Sequence, residues 1–272
     1  MPELPEVEIT RRGLEPHLTG ASIAELIVRE RRLRWPVARN LPRVLGGARI
    51  MRVERRGKYL LLDCERGWLV MHLGMSGSLR LLPAGSPPGK HDHVDLLLST
   101  GQLVRLTDPR RFGAVFWAGA DPLKHPLLAP LAPEPLEPGF SGVWLHTRLG
   151  GRSAPVKSLL MASHIVSGVG NIYANEALFS AGIHPCTPGK RLSPSRCARL
   201  VEAIRDTLNA AIAAGGSSLR DFVGSDGQPG NFQQHYLVYD RAGEPCLVCG
   251  ARIKTTRLGQ RATYYCAHCQ RR

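Results

Sequence analysis

Acidic residues are scarce in this chain of 272 residues. Against 36 Lys and Arg stand 22 Asp and Glu, giving a formal charge of +14 and a pI near 10.0. Long apolar runs are also missing: none could cross a bilayer. The opening Met1-Pro-Glu-Leu-Pro-Glu6 has neither the basic nor the apolar stretch of a signal peptide. The expected location is therefore the cytoplasm. A solvated basic surface, a membrane surface and a nucleic acid all remain readings of the charge. Membrane binding usually brings a basic amphipathic helix or a lipid anchor, and neither is evident. A nucleic-acid partner fits best, because Lys and Arg along its backbone neutralise phosphates and release counterions.

Hydrophobic residues make up 43% of the chain, which is material for real cores and for two domains of ordinary size. No internal repeat is visible. Pro5 suits a first helical turn, and Glu6 and Glu8 suit its positive end, so a helix should run to Leu14 or His17. From Ser22 to Trp117 short β runs follow, among them Ile23–Val28, Tyr59–Leu62, Trp68–Met71, Ser78–Leu82, His93–Leu98 and Leu103–Leu106, most of them punctuated by Gly, Asp or Pro. They suggest a β-sandwich or flattened barrel. Residues 130–139 are proline-rich and read as a linker. Beyond them the chain reads as helical: Val156–Val166, then a Gly168-Val-Gly170 turn, then a helix from Asn171 to Gly182. A third helix starts at Ser193-Pro194 and stops at Gly215-Gly216. Its stripe of Cys197, Leu200, Val201, Ile204, Leu208 and Ile212 is core.

Of seven cysteines, Cys246, Cys249, Cys266 and Cys269 form a C-x2-C-x16-C-x2-C array. Without a secretion signal this spacing reads as one structural Zn2+ site, two knuckles closing a tetrahedron with no open position. Cys64, Cys186 and Cys197 are scattered and read as ordinary buried thiols.

Several motifs follow one another in a telling order: Pro2-Glu-Leu-Pro-Glu-Val-Glu8, Arg56-Gly-Lys58-Tyr, His72-Leu-Gly-Met75-Ser-Gly, Thr107-Asp-Pro-Arg110-Arg-Phe112-Gly, Gly168-Val-Gly-Asn171-Ile-Tyr-Ala-Asn-Glu176, Ser225-Asp-Gly-Gln-Pro-Gly230 and the four cysteines. Together they resemble the bacterial formamidopyrimidine-DNA glycosylases, enzymes that excise 8-oxoguanine and ring-opened purines and then cut the DNA backbone. The resemblance covers nearly the whole chain. It implies an α+β fold: an N-terminal β-sandwich with flanking helices over 1–131, a linker over 132–142, a helical domain with a helix–two-turn–helix and a lesion-recognition loop over 143–239, and a β-hairpin zinc finger over 240–272. It implies one structural zinc, a partner of double-stranded DNA carrying oxidised purines or abasic sites, no membrane, and a monomer.

The residues support the carry-over. With Met1 removed, Pro2 presents a secondary amine that titrates near pH 8, roughly, so a neutral fraction exists to attack an anomeric carbon. By resemblance Glu3 moves protons as the base departs, a task suited to a shielded carboxyl of raised pKa. Glu6 lies near the amine in the family, though a helix-dipole role explains it equally. Lys58, in a basic turn, is implied to contact a phosphate flanking the lesion and assist catalysis. Met75, Arg110 and Phe112 match the trio that fills the gap left by a flipped nucleotide, Arg110 reading the orphaned cytosine. The alternative for Met75 and Phe112 is core, but Gly-rich turns argue for loop tips. Gly168 to Asn171 resembles the helix–two-turn–helix, whose free N–H groups suit phosphate. Residues 240–272 hold seven Arg or Lys and two acidic residues. The resemblance implies phosphate contacts from Arg261, which belongs with the catalytic group, and from Tyr239, His72 and His91; for His72 a structural role is a close alternative. Ser217 to Tyr236 is long, polar and Gly-rich, as a lid over the flipped base would be.

Two other readings compete. The sister family of endonuclease VIII removes oxidised pyrimidines with the same nucleophile, but Leu4, the Arg110-Arg111-Phe112 wedge and the long loop favour the purine enzymes. A silent zinc-ribbon DNA-binding protein is argued against by intact Pro2, Glu3 and Lys58.

Overall fold

The computed structural model describes residues 2–217 and 231–272. Most of the expected lid, including Ser225–Gly230, lies outside them. The chain divides into two compact units, one of residues 1–129 with 214–231, the other of 130–213 with 232–272.

The first unit begins with α1 (Leu4–Leu18), which carries Pro5 in its first turn. Leu4, Val7, Leu14 and Leu18 recur on one face and are buried. The strands follow as β1 (Ile23–Val28), the short α2 (Leu41–Leu45), β2 (Arg52–Arg56), β3 (Tyr59–Asp63), β4 (Trp68–His72), β5 (Ser78–Pro83), β6 (Asp92–Leu98), β7 (Gln102–Thr107) and β8 (Ala114–Trp117). They form two antiparallel four-stranded sheets, β1-β6-β7-β5 and β2-β3-β4-β8. Leu26, Leu60, Leu62, Leu69, Leu96 and Val104 share one core, as a sandwich requires. Helix α1 packs on β2 and β3. That is one reason Leu60, Leu61 and Leu62 are all buried rather than alternating.

Strand β2 had no counterpart among the expected runs. Its sequence, Arg52-Val-Glu-Arg-Arg56, fully buries only Val53: as a sheet edge it turns Arg52 and Glu54 to water, while Arg55 and Arg56 are half-buried.

The second unit holds α3 (Gly142–Leu149), α4 (Val156–Leu160), α5 (Asn171–Ser180) and α6 (Pro194–Ala213), then a hairpin of β9 (Lys254–Leu258) and β10 (Arg261–Tyr265). The expected α6 stripe is buried throughout. The expected helix Val156–Val166 is too long. It stops at Leu160, where the helical pattern gives way to tighter turns: Ala162 N–H donates to Leu159 O and Ile165 N–H to Ala162 O, and the carbonyls of Ser163 and Ile165 accept from Ala132 N–H and from Trp144 Nε1. Ala132 and Phe140, in the proline-rich stretch, are buried in this unit. At the far end of the expected loop, Phe232–His235 form a 3-10 turn with Phe232 and Tyr236 buried, so these residues belong to a core. No described helix is long and apolar enough to cross a membrane.

Candidate functional site

Pro2 is buried immediately ahead of α1. The N-cap of that helix is Glu3, which is 1% exposed, as is Glu6. Glu6 Oε2 accepts the Glu3 N–H at 2.7 Å, so the third residue of the helix closes back on its cap. Its other oxygen, Oε1, accepts the Ser217 N–H at 2.9 Å. Gly216 makes this approach possible: it sits at φ +81° in the left-handed region, where an added Cβ would stand 3.2 Å from Glu6 Oε1. Glu6 thus ties the chain start to the residue that opens the segment after α6.

Two residues further along α1, Glu8 binds Arg11 and Arg12 on its own helix and Arg55 on β2. Burial works to raise the Glu8 carboxyl, but these guanidiniums outweigh it and hold it low. Arg55 also donates to Gly57 O at 3.0 Å, fixing the β2–β3 turn. That turn has two residues, Gly57 at φ +58° and Lys58, a loop in which glycine comes first. Lys58 therefore stands at a braced hairpin tip. Beside it, burial and the charges of Lys58 and Arg34 push His72 down to about 4. Gly74 N–H donates to His72 Nδ1 at 3.0 Å, so the neutral ring carries its proton on Nε2. A neutral donor is the form in which an imidazole meets a phosphate without repelling Lys58.

The two expected wedge loops touch. Gly74 sits at φ +65°, and a Cβ there would lie 2.5 Å from the Phe112 carbonyl carbon. Asp108 is fully buried and accepts from Ser76 Oγ, Arg110 N and Gly113 N, knotting the loop of Met75 to that of Phe112. Arg111 takes a left-handed φ of 57°, a strain of roughly 1 kcal/mol or more for a non-glycine residue. It turns Arg110 and Phe112 outward: Arg110 is exposed, Phe112 is 42% exposed, and Met75 is half-buried. His91 is half-buried; its carbonyl accepts Asp108 N–H, and its ring lies edge-on to His93.

In the second unit Gly168 (φ +81°) turns the chain, and α5 opens at Asn171 with no acidic residue in its first turn. Two adjacent residues of α5 reach other segments. Asn175 Oδ1 accepts Tyr264 N–H from β10, and its amide donates to Asn171 O. Glu176, 2% exposed, accepts the N–H groups of Leu237, Val238 and Tyr239. Burial pushes its carboxyl up, and the three donors only partly offset this. Arg261 opens β10 after a tight Gly259-Gln260 turn, both residues at positive φ, and is exposed. Sequence reasoning assigned no role to Arg55, Asp108, Asn175 or Glu176. The signal for the last two was a polar pair within the largely apolar run from Ile172 to Phe179, all of which is buried.

The four array cysteines present their sulfurs within 4.8 Å of one another. Sγ–Sγ separations are 3.9 Å for Cys246 and Cys269 and 3.5 Å for Cys249 and Cys266. Zinc–sulfur bonds of about 2.3 Å in a tetrahedron place sulfurs roughly 3.8 Å apart, so the set fits one structural zinc with no position left for chemistry. Phe179, Val238, Ile253 and the buried Cys246 and Cys266 form a small core around it. Cys64 and Cys197 are buried thiols pushed up to about 11 by burial, while Cys186, expected to be buried, is half-buried.

An antiparallel sandwich headed by a buried proline–glutamate pair, together with a helical unit carrying a four-thiolate hairpin, defines a zinc-finger class of DNA-repair glycosylase. Residues 1–115 match the formamidopyrimidine-DNA glycosylase N-terminal domain, 131–223 its H2TH domain, and 243–272 the zinc finger found in FPG and IleRS. The chain is 57% identical to formamidopyrimidine-DNA glycosylase of Methylococcus capsulatus over 271 residues, covering 100% of both. Among solved structures it resembles MutM (Fpg) of Thermus thermophilus, with 38% identity, TM-score 0.89, and 99% and 98% of the two chains covered. A Lactococcus lactis Fpg mutant in complex with Fapy-dG-containing DNA matches at 34% identity and TM-score 0.92, with 100% of both chains covered. The chain belongs to the formamidopyrimidine-DNA glycosylase family.

Proposed function

We propose that this protein is a bifunctional glycosylase and abasic-site lyase of base excision repair, acting on oxidised purines in double-stranded DNA with Pro2 as nucleophile. The observation that carries the reading is the buried start of the chain: Pro2 adjoins Glu3, whose backbone is locked by Glu6. The amine of Pro2, freed of Met1, attacks C1′ of the flipped nucleotide as the base leaves. Glu3 exchanges the proton that opening of the sugar ring requires. The resulting iminium of a secondary amine is cationic and withdraws electrons, so a proton leaves C2′ and the 3′ phosphate departs, then the 5′ phosphate. Glu6 keeps the amine and Glu3 in register. Lys58, with His72 as a neutral donor, holds a phosphate beside the lesion. His91 adds a backbone-side contact. Met75 and Phe112 fill the vacated stack, and Arg110 pairs with the orphaned cytosine. Asn171, Tyr239 and Arg261 grip phosphates from the second unit, Arg261 at the phosphate region nearest the chemistry. The zinc held by Cys246, Cys249, Cys266 and Cys269 supplies the rigidity of the hairpin that carries Arg261. The protein is read as a monomer acting in the cytoplasm on nucleoid DNA.

The test is borohydride trapping on a duplex with 8-oxoguanine opposite cytosine. A covalent protein–DNA adduct should form and map to the peptide beginning at Pro2. Protein that retains Met1 should lose excision and cutting by about a thousandfold or more while still binding DNA. An adduct on Lys58, or full activity with Met1 retained, refutes the mechanism. Release of thymine glycol in preference to 8-oxoguanine would move the specificity to pyrimidines.

A further inference from the structure

Three of the residues assigned above to phosphate come from separate stretches of the second unit: Asn171 from the start of α5, Tyr239 from the segment before the zinc finger, and Arg261 from the hairpin. Something must hold them in register, because a phosphate track rewards only groups spaced to match it. We propose that Asn175, seconded by Glu176, is the positioning residue that locks Asn171, Tyr239 and Arg261 into one phosphate-gripping frame. The proposal rests on the functional reading above.

The bonds close a ring. Asn175 Oδ1 accepts Tyr264 N–H at 2.9 Å, three residues along β10 from Arg261. The same side chain donates through Nδ2 to the Asn171 carbonyl at 2.6 Å. The two partners fix the amide's orientation, since one is a donor and the other an acceptor. Tyr264 then reaches the third stretch: its hydroxyl donates to Asp240 Oδ1 at 3.2 Å, and its ring stands edge-on to Tyr239 at 5.2 Å. Tyr239 returns to α5, its N–H donating to Glu176 Oε1 at 2.7 Å. On β10 itself, Lys157 Nζ binds Ala262 O and Thr263 Oγ1, and Thr263 Oγ1 donates to Arg261 O. The backbone that follows Arg261 is therefore clamped from α4 and from α5. Asn175 is 1% exposed and Lys157 is fully buried, so water cannot replace these bonds cheaply. Through its one amide group, Asn175 joins the backbone of Asn171 to the strand that carries Arg261.

A merely structural asparagine and a positioning one differ in what their removal changes. The salt slope of DNA binding falls by about one for each phosphate that the protein no longer neutralises. The experiment measures affinity for a short duplex bearing a tetrahydrofuran abasic analogue across a salt series. It uses the zinc-loaded full chain, with Asn175→Ala, Asn175→Ser, Arg261→Ala and the Asn175→Ala/Arg261→Ala pair. Asn175→Ala should keep its zinc, weaken binding about tenfold and make the slope shallower by about one. Asn175→Ser should fall between, because the shorter hydroxyl reaches one partner but not both. Arg261→Ala should weaken the wild type clearly and the Asn175→Ala protein little, since a misplaced arginine has less to lose. An unchanged slope with affinity within twofold, or strictly additive effects of the two substitutions, overturns the proposal. If Asn175→Ala does not fold with its zinc, Asn175→Ser decides alone: a weakened, shallower response supports the proposal and a wild-type response overturns it. Loss of binding in Arg261→Ala without any in the Asn175 variants sinks this inference while the functional reading stands. A wild type that does not prefer the abasic analogue to intact duplex sinks both.

Discussion

The two units bury charge in different ways. On the sheets and first helix of the first, carboxylates meet guanidiniums: Asp95 binds Arg105 and Arg29, and Glu8 binds Arg11, Arg12 and Arg55; where its loops meet, Glu6 and Asp108 accept main-chain N–H groups instead. Burial works to raise Asp95, but its two arginines hold it low. In the second, buried Glu176 is answered by three main-chain N–H groups, and buried Lys157 by a carbonyl and a hydroxyl. The Asp95 pairs tie strands that are already paired by their ladders, and the Glu8 pairs brace α1 and fasten it to β2. A charge that binds backbone ties segments that no ladder joins. The second unit needs such ties because its proposed phosphate groups sit on a turn, a loop and a small hairpin.

The largest break in this comparison should come from the metal. Cys266→Ser removes one of four thiolates, so zinc content should fall from about one per chain to near zero. DNA affinity should drop roughly a hundredfold as the hairpin lets go of its phosphates, while the sandwich still melts as a folded unit. Full affinity without zinc would show that the hairpin holds itself.

A paired substitution tests the two kinds of buried charge against each other. Glu176→Ala strands three N–H donors and should cost about 2–4 kcal/mol in denaturant unfolding, with weakened DNA binding. Arg105→Ala leaves Asp95 and Asp92 short of a cation and should cost about 3–5 kcal/mol, yet leave the affinity of the folded protein unchanged. Equal losses of affinity in both variants would erase the distinction.

Arg110→Ala should separate reading from holding. Stability should hold, because the side chain is exposed, but preference for cytosine opposite the lesion should shrink by about 1–3 kcal/mol. Cutting at a preformed abasic site should suffer less. An unaltered opposite-base ranking removes Arg110 from that role.

A last effect is on acid stability. His72 is held down to about 4, below its unfolded value near 6.5. Between these values the unfolded chain binds the extra proton, so stability is full above about pH 6.5 and drains as pH falls toward 4. His72→Gln should flatten that part of the acid limb. Identical limbs in variant and wild type would mean His72 is not held neutral.

Sequence alone determined whatever depends on spacing along the chain. The period of α6, the apolar runs of the sandwich and the cysteine array were legible because helix, strand and tetrahedral site each impose a local repeat. Pro2, Glu3 and Glu6 were singled out by the order of motifs along the chain; they sit just before and within the first turn of α1, and their roles are those proposed above. Tertiary structure decided what depends on distant partners. Strand β2 is a strand because β3 pairs with it, and the turns that follow α4 find their partners in Ala132 and Trp144. Asp108 became a knot between two loops 32 residues apart, and Asn175 a joint to a strand 89 residues away. A polar side chain announces in sequence only that it can hydrogen-bond; burial chooses the partner, because inside the protein an unmet donor or acceptor costs more than one left in water.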